Sequence, residues 1–388
     1  MAAFSPPSST LKGHKSPVLS LAIEGSILLS GDESSQIRLY DLRTCRTEKC
    51  FTSSLFPPDS EGITGLQFNS NSFWASAGSS ITEFDLRAEG LIFAAPAPPR
   101  PPPAFVLQTI APFTNSNSEE FSEINSLTTC DASLCAVDDN GMLFVMDDVE
   151  GCVTQRIGFD SSPILTSVAS TKRIGNKSIV AVGGTDSCLT LFDLDGTQSR
   201  VSGKGTLEGD VYNVGQVNFA TSLQSASDNN TKSQLCNPPF LNSLCWGGDG
   251  RWIVAGLGDG TLGLCSVAED RKKSGMMNLA EFGEGNGKGK KPANHTRLGG
   301  DGTYGHTGSV ASVDVPRAWG DGSRYILSGG TDRNVCLWDL KGYSKSVVTG
   351  CSSFLIEEGE KVNCVKGGQE GKVFLATTKN EVKIYDLR

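Results

Sequence analysis

One pattern recurs seven times along this chain of 388 residues, and no other feature limits the fold as tightly. Each copy reads as an apolar strand, a turn, a second apolar strand ending in small residues, a polar turn, and a third strand closing on an aromatic residue followed by Asp. The clearest copy is GHTGSVASVDVPRAWGDGSRYILSGGTDRNVCLWDLKG, from Gly305 to Gly342. Its period-two alternation and Gly/Asp turns predict strands near 309–315, 324–329 and 334–339. A unit of this kind cannot bury its apolar faces alone, so copies in series must stack.

The chain ends on EVKIYDLR, which reads as a third strand with no fourth after it. An uncovered edge there would invite aggregation. The segment around SSTLK, ahead of Gly13, supplies a partner if the two ends of the chain meet. The fold expected is therefore all-β, a seven-bladed β-propeller whose N-terminal strand completes the last blade. Residues 1–388 form one domain, with blades near 13–60, 61–110, 121–160, 161–210, 240–282, 304–350, and 358–388 plus 8–12. The excess length falls in three insertion loops at 94–122, 197–240 and 267–303. The first contains APAPPRPPPA, suited to a stiff polyproline II segment. The last contains GEGNGKGKKP, a solvated Gly/Lys-rich stretch without the GxxxxGK[ST] order that cradles phosphates.

The repeat resembles the WD-repeat family, residue by residue. Gly305-His306 stand for the family's GH pair, Trp338-Asp339 for its WD pair, and Asp332 lies six residues before Trp338. The resemblance implies a buried hydrogen-bonded network of His306, Ser328, Asp332 and Trp338. The other copies depart from it. Tyr or Phe replaces Trp in most, Met146 and Cys265 take its place in two, and only the first and sixth keep GH. Further stretches, GHKSPVLSL (13–21), EINSL (123–127), Asn237-Pro238 and GEKVN (359–363), resemble one branch of the family. That likeness implies a eukaryotic intracellular adaptor.

Three copies end in Asp-x-Arg: Asp41-x-Arg43, Asp85-x-Arg87 and Asp386-x-Arg388. In the WD-repeat family this resembles the box of substrate receptors of cullin-4 ubiquitin ligases. The resemblance implies that the arginines dock the ligase's propeller adaptor, the damage-specific DNA-binding protein subunit. A planar guanidinium fork pairs well with carboxylates and carbonyls. The plainer reading is an exposed turn pair of little energetic weight.

Composition closes off other classes. A formal charge of −9 argues against a nucleic-acid partner. Hydrophobic residues at 38% and charged residues at 20% exclude wholesale disorder. The start, MAAFSPPSSTLKGHK, lacks the features of a secretory signal, and no apolar run suits a membrane helix. The location expected is cytoplasmic and/or nuclear, which leaves the sequons at Asn176, Asn229 and Asn294 without a role. Twelve cysteines lie scattered in apolar stretches, and the pairs Cys45/Cys50 and Cys130/Cys135 have no partners to complete a zinc site. Of three histidines, His14 and His306 hold GH positions and His295 lies in the Gly/Lys-rich loop. HExxH, GxSxG and Walker motifs are missing, so no catalytic residue, cofactor or metal is assigned. A propeller hydrolase would have to gather carboxylates from separate blades. The function expected is a protein–protein interaction scaffold, a monomer within a complex: a cullin-4 receptor or, alternatively, a scaffold for chromatin or ribosome assembly.

Overall fold

The computed structural model describes residues 3–4, 6–57, 60–87, 106–110, 122–159, 162–174, 177–194, 212–220, 238–248, 250–269, 277–281, 296–298, 305–319, 324–340, 350–356 and 360–387. They form seven antiparallel sheets arranged as the blades of a β-propeller. The innermost strands are Val18–Glu24, Ile63–Asn69, Ile124–Cys130, Leu165–Ile174, Leu241–Trp246, Val310–Asp314 and Val362–Gly367. Each packs against the next around the full ring, and together they enclose a polar channel of about 1020 Å³.

All seven innermost strands carry a β-bulge at the same place, between the first and third residue. The residue before each bulge is apolar and buried: Val18, Ile63, Ile124, Leu165, Leu241, Val310, Val362. The bulged residue is unpaired in its own ladder, so its side chain can turn to the neighbouring blade. There it donates to the carbonyl of the next blade's buried apolar residue. Asn125 Nδ2 reaches Leu165 O at 2.8 Å, Asn242 Nδ2 reaches Val310 O at 2.9 Å, and Asn363 Nδ2 reaches Val18 O at 2.8 Å. Thr64 and Thr166 make the same bond to Ile124 O and Leu241 O.

One residue further on, serines accept backbone N–H groups from the next blade. Ser167 Oγ takes Leu244 N at 2.9 Å, and Ser243 and Ser312 take Val313 N and Val365 N at 3.1 Å each. Blade two has Gly65 here, because a Cβ would sit 2.8 Å from Ser76 Oγ and 2.9 Å from Leu127. The apolar core matches this plan. Seven buried clusters occur, one at each junction between adjacent blades, as where Leu28 and Tyr40 of blade one meet Phe374 and Ile384 of blade seven.

The ends of the chain close the ring. Ser9–Lys12 lies antiparallel on Glu381–Asp386, with Ser9 opposite Ile384 and Lys12 opposite Glu381. Tyr40 OH of blade one also reaches Lys12 O at 3.4 Å. Residues 3–4 continue to blade six and pair in parallel with Phe354 and Leu355.

Strands occupy part of each of the three stretches expected as insertion loops. Within 94–122, Val106–Ile110 is the fourth strand of blade two. Within 197–240, Tyr212–Asn218 is the fourth strand of blade four, past the boundary expected at 210. Within 267–303, Met277–Glu281 and Thr296–Leu298 share one edge of blade five. An outermost strand is short and leaves one edge unpaired, so its alternation is weak beside long polar flanks. In blade five Glu281 pairs with Cys265 and Thr296 with the adjoining Leu264. Residues 281 and 296 thus meet the third strand at consecutive ladder positions; the Gly/Lys-rich residues 282–295, with the APAPPRPPPA stretch, His295 and the three sequon asparagines, lie outside the described residues.

Candidate docking face

Alternating strand direction brings two sets of turns to one face of the disc: those joining first to second strands, and those joining third to fourth. Two of the latter carry the Asp-x-Arg sequences of blades one and two. The third strand of blade one, Ile37–Asp41, ends on Asp41, and the turn doubles back through Cys45 at φ 54° into the fourth strand, Arg46–Phe51.

Within that turn Arg43 folds onto Asp41. Nε donates to Oδ1 at 3.0 Å and Nη2 to Oδ2 at 2.9 Å, while the backbone N–H of Arg43 donates to Oδ1 at 2.9 Å. Blade two repeats the arrangement with Arg87 and Asp85, at 3.0, 3.0 and 2.8 Å. The carboxylates are sunk, with Asp41 and Asp85 side chains 14% and 15% exposed, whereas Arg43 and Arg87 are 78% and 68% exposed. The arginine bond holds each carboxyl below its usual range, and the aspartate in turn raises each guanidinium. Of five N–H donors on each guanidinium, the fork engages Nε and one hydrogen of Nη2, leaving Nη1 and the other Nη2 hydrogen for a partner.

The remaining third-strand ends differ. Asp386 is exposed, and Arg388 lies outside the described residues. In blade six Asp339 is clasped instead by Arg324, just ahead of the second strand Tyr325–Gly330, at 2.8 and 2.7 Å. In blade three Asp147 accepts the backbone N–H groups of Val149 and Glu150. Among the described residues, the exposed two-residue fork occurs in blades one and two. Lys49 ties blade one to the second of these turns: from the fourth strand of blade one, its Nζ donates to Leu86 O, inside the second box, at 2.6 Å. Neither Lys49 nor Arg324 stands in a motif that sequence reading could have picked out.

Behind this face the blades are stiffened by buried networks. In blade six His306 Nδ1 lies 3.0 Å from Asp332 Oδ1 and Nε2 lies 2.8 Å from Ser328 Oγ, which also accepts Trp338 Nε1 at 2.9 Å. With a neutral imidazole the bonds run one way, Trp to Ser to His to Asp, and every group is satisfied. Blade one repeats the core of this network with His14, Ser30 and Asp32, and Tyr40 in the tryptophan's place. Burial pushes Asp32 and Asp332 up, but their hydrogen bonds, led by those from His14 and His306, outweigh it and leave both below the usual carboxyl range. Asp138 of blade three has Ser122 in place of histidine, and there burial prevails and pushes it up. In blade seven Glu360 follows a glycine at the GH position, fully buried, and pairs with buried Lys383 at 2.6 Å.

Chemistry of other kinds finds little support here. Among the described residues, no cluster of three or more His, Cys, Asp or Glu suits a metal ion, and no helix is long and apolar enough to cross a membrane. None of the described cysteines is in a disulfide; burial pushes Cys188 and Cys245 up to about 11.

Seven blades and circular closure define a seven-bladed β-propeller, and the His–Ser–Asp networks go with WD repeats. The WD domain, G-beta repeat, is matched over residues 5–41, 234–264 and 301–339. The chain is also similar to the WD repeat-containing protein 53 homolog of Dictyostelium discoideum. The two are 20% identical over an alignment covering 97% of this chain and 94% of that protein. A WD-repeat propeller is an interaction scaffold, whose partners are decided by its surface side chains.

Proposed function

We propose that the chain is a substrate receptor of a cullin-4 RING ubiquitin ligase, docking the ligase's propeller adaptor through Arg43 and Arg87 and presenting a substrate elsewhere on the disc. The observation that carries this reading is the paired fork. Two exposed guanidinium groups in consecutive blades are each held in a fixed orientation by a sunken aspartate. A fork oriented before binding loses less side-chain freedom when a partner arrives. The reading makes the protein a non-catalytic adaptor working in the cytoplasm or nucleus.

Affinity capture with the full chain tests it. The wild type should bring down the adaptor and cullin-4, and the Arg43→Ala/Arg87→Ala double variant should lose both while remaining folded. Wild-type capture of a different stoichiometric partner, with no ligase component, would instead favour a scaffold of another intracellular assembly.

A further inference from the structure

We propose that the two Asp-x-Arg turns act as a single rigid clamp, with Lys49 as the positioning residue that sets Arg87 relative to Arg43. The clamp fits a partner that offers two acceptor groups, carboxylate or carbonyl, spaced one blade apart. The proposal rests on the docking reading above and adds to it the part of the surface that makes two weak contacts one strong one.

Two independent observations carry it. First, Lys49 leaves the fourth strand of blade one and donates to Leu86 O, the carbonyl between Asp85 and Arg87, at 2.6 Å. A cation held against that carbonyl fixes the turn from which Arg87 projects and adds positive charge beside Asp85. Second, the two blades are locked together by four phenylalanines that gather beside the second turn. Phe84, immediately before Asp85, lies 5.1 Å from Phe51 of blade one, 5.0 Å from Phe73 and 5.6 Å from Phe56. Phe51 and Phe73 meet edge to face at 5.2 Å. Rings packed at these distances resist relative rotation of the blades, so the spacing of the two forks is fixed before a partner binds. Two contacts on one rigid body reinforce each other as linked sites do, which separate mobile turns would not.

The test combines binding with a readout on the free protein. The full chain is titrated with purified cullin-4 adaptor as wild type, Lys49→Met, Lys49→Arg, Arg87→Ala, and Lys49→Met/Arg87→Ala. Lys49→Met should weaken binding roughly tenfold, Lys49→Arg should restore most of it, and Lys49→Met should add nothing once Arg87 is gone. In the free protein, Lys49→Met should quicken exchange of the Arg87 Nε–H with water several-fold and leave Arg43 unchanged. Additive losses in the double variant, or Arg87 exchange indifferent to Lys49, overturn the proposal. Failure of the wild type to bind the adaptor removes the docking reading, and the exchange measurement then still decides whether Lys49 sets Arg87.

Discussion

The aspartate that recurs at the turn between second and third strands shows how one residue type takes opposite roles. Asp32 and Asp138 occupy matching places, and Asp332 lies two positions further along its turn; Asp32 and Asp332 meet a histidine, and Asp138 does not. At neutral pH, Asp332→Asn should cost about 1–3 kcal/mol, the usual range for a charge-assisted bond lost in a buried network. The folded-state pKa of Asp332 is depressed, so its contribution is fully present above the ordinary carboxyl value and fades as pH falls below about 4. Asp138 has the opposite sign. Its folded pKa is raised, so its carboxylate becomes a liability as pH rises past the ordinary value, and Asp138→Asn should gain on the wild type over that rise. Urea midpoints for both variants between pH 3 and 7 would show the two trends diverging; parallel curves would refute them. His306, Ser328, Asp332 and Trp338 were legible in the sequence because their spacing is shared by a family. Glu360 with Lys383 was not, because a buried ion pair across strands leaves no local spacing to read. Arg43 and Arg87 were legible as residues, yet their orientation depends on a fork that only the turn geometry reveals.

At the scale of the strand, the sevenfold bulge explains how blades with little common sequence adopt one spacing. Five bulged positions hold Thr or Asn, and blades one and six hold Leu19 and Ala311. In blade one Ser20 Oγ compensates by donating to Ile63 O at 2.7 Å. Asn242→Ala should therefore lower stability by about 1–3 kcal/mol, since Val310 O loses its donor. The converse is a sharper check: Ala311→Thr should supply the missing bond to the carbonyl of Val362 and raise stability by roughly 0.5–1.5 kcal/mol. Thermal melts of both variants give the comparison, and a destabilised Ala311→Thr protein would contradict the scheme. Inner strands were readable because one buried face enforces alternation. The outer strands at 106–110, 212–218 and 277–281 were blurred by polar neighbours, and their identity is settled by pairing with an inner partner.

For the whole molecule, circular closure is the property on which the rest depends. Removing residues 1–12 should uncover the edge at Glu381–Asp386 and open the cluster that holds Leu11 between blades seven and one. The expected result is a lower melting temperature with concentration-dependent aggregation; an unchanged melt and a monodisperse protein would argue against it. The seam was foreseeable because an edge strand at 381–386 needed a partner and a short apolar-polar segment stood ready at 9–12. Closure also imposes a timetable on birth. The strand at 9–12 leaves the ribosome well ahead of its mate at 381–386, by tens of seconds at roughly 5–20 residues per second. Until that mate emerges the nascent disc stays an open arc with two unpaired flanks, a span in which chaperone cover matters most.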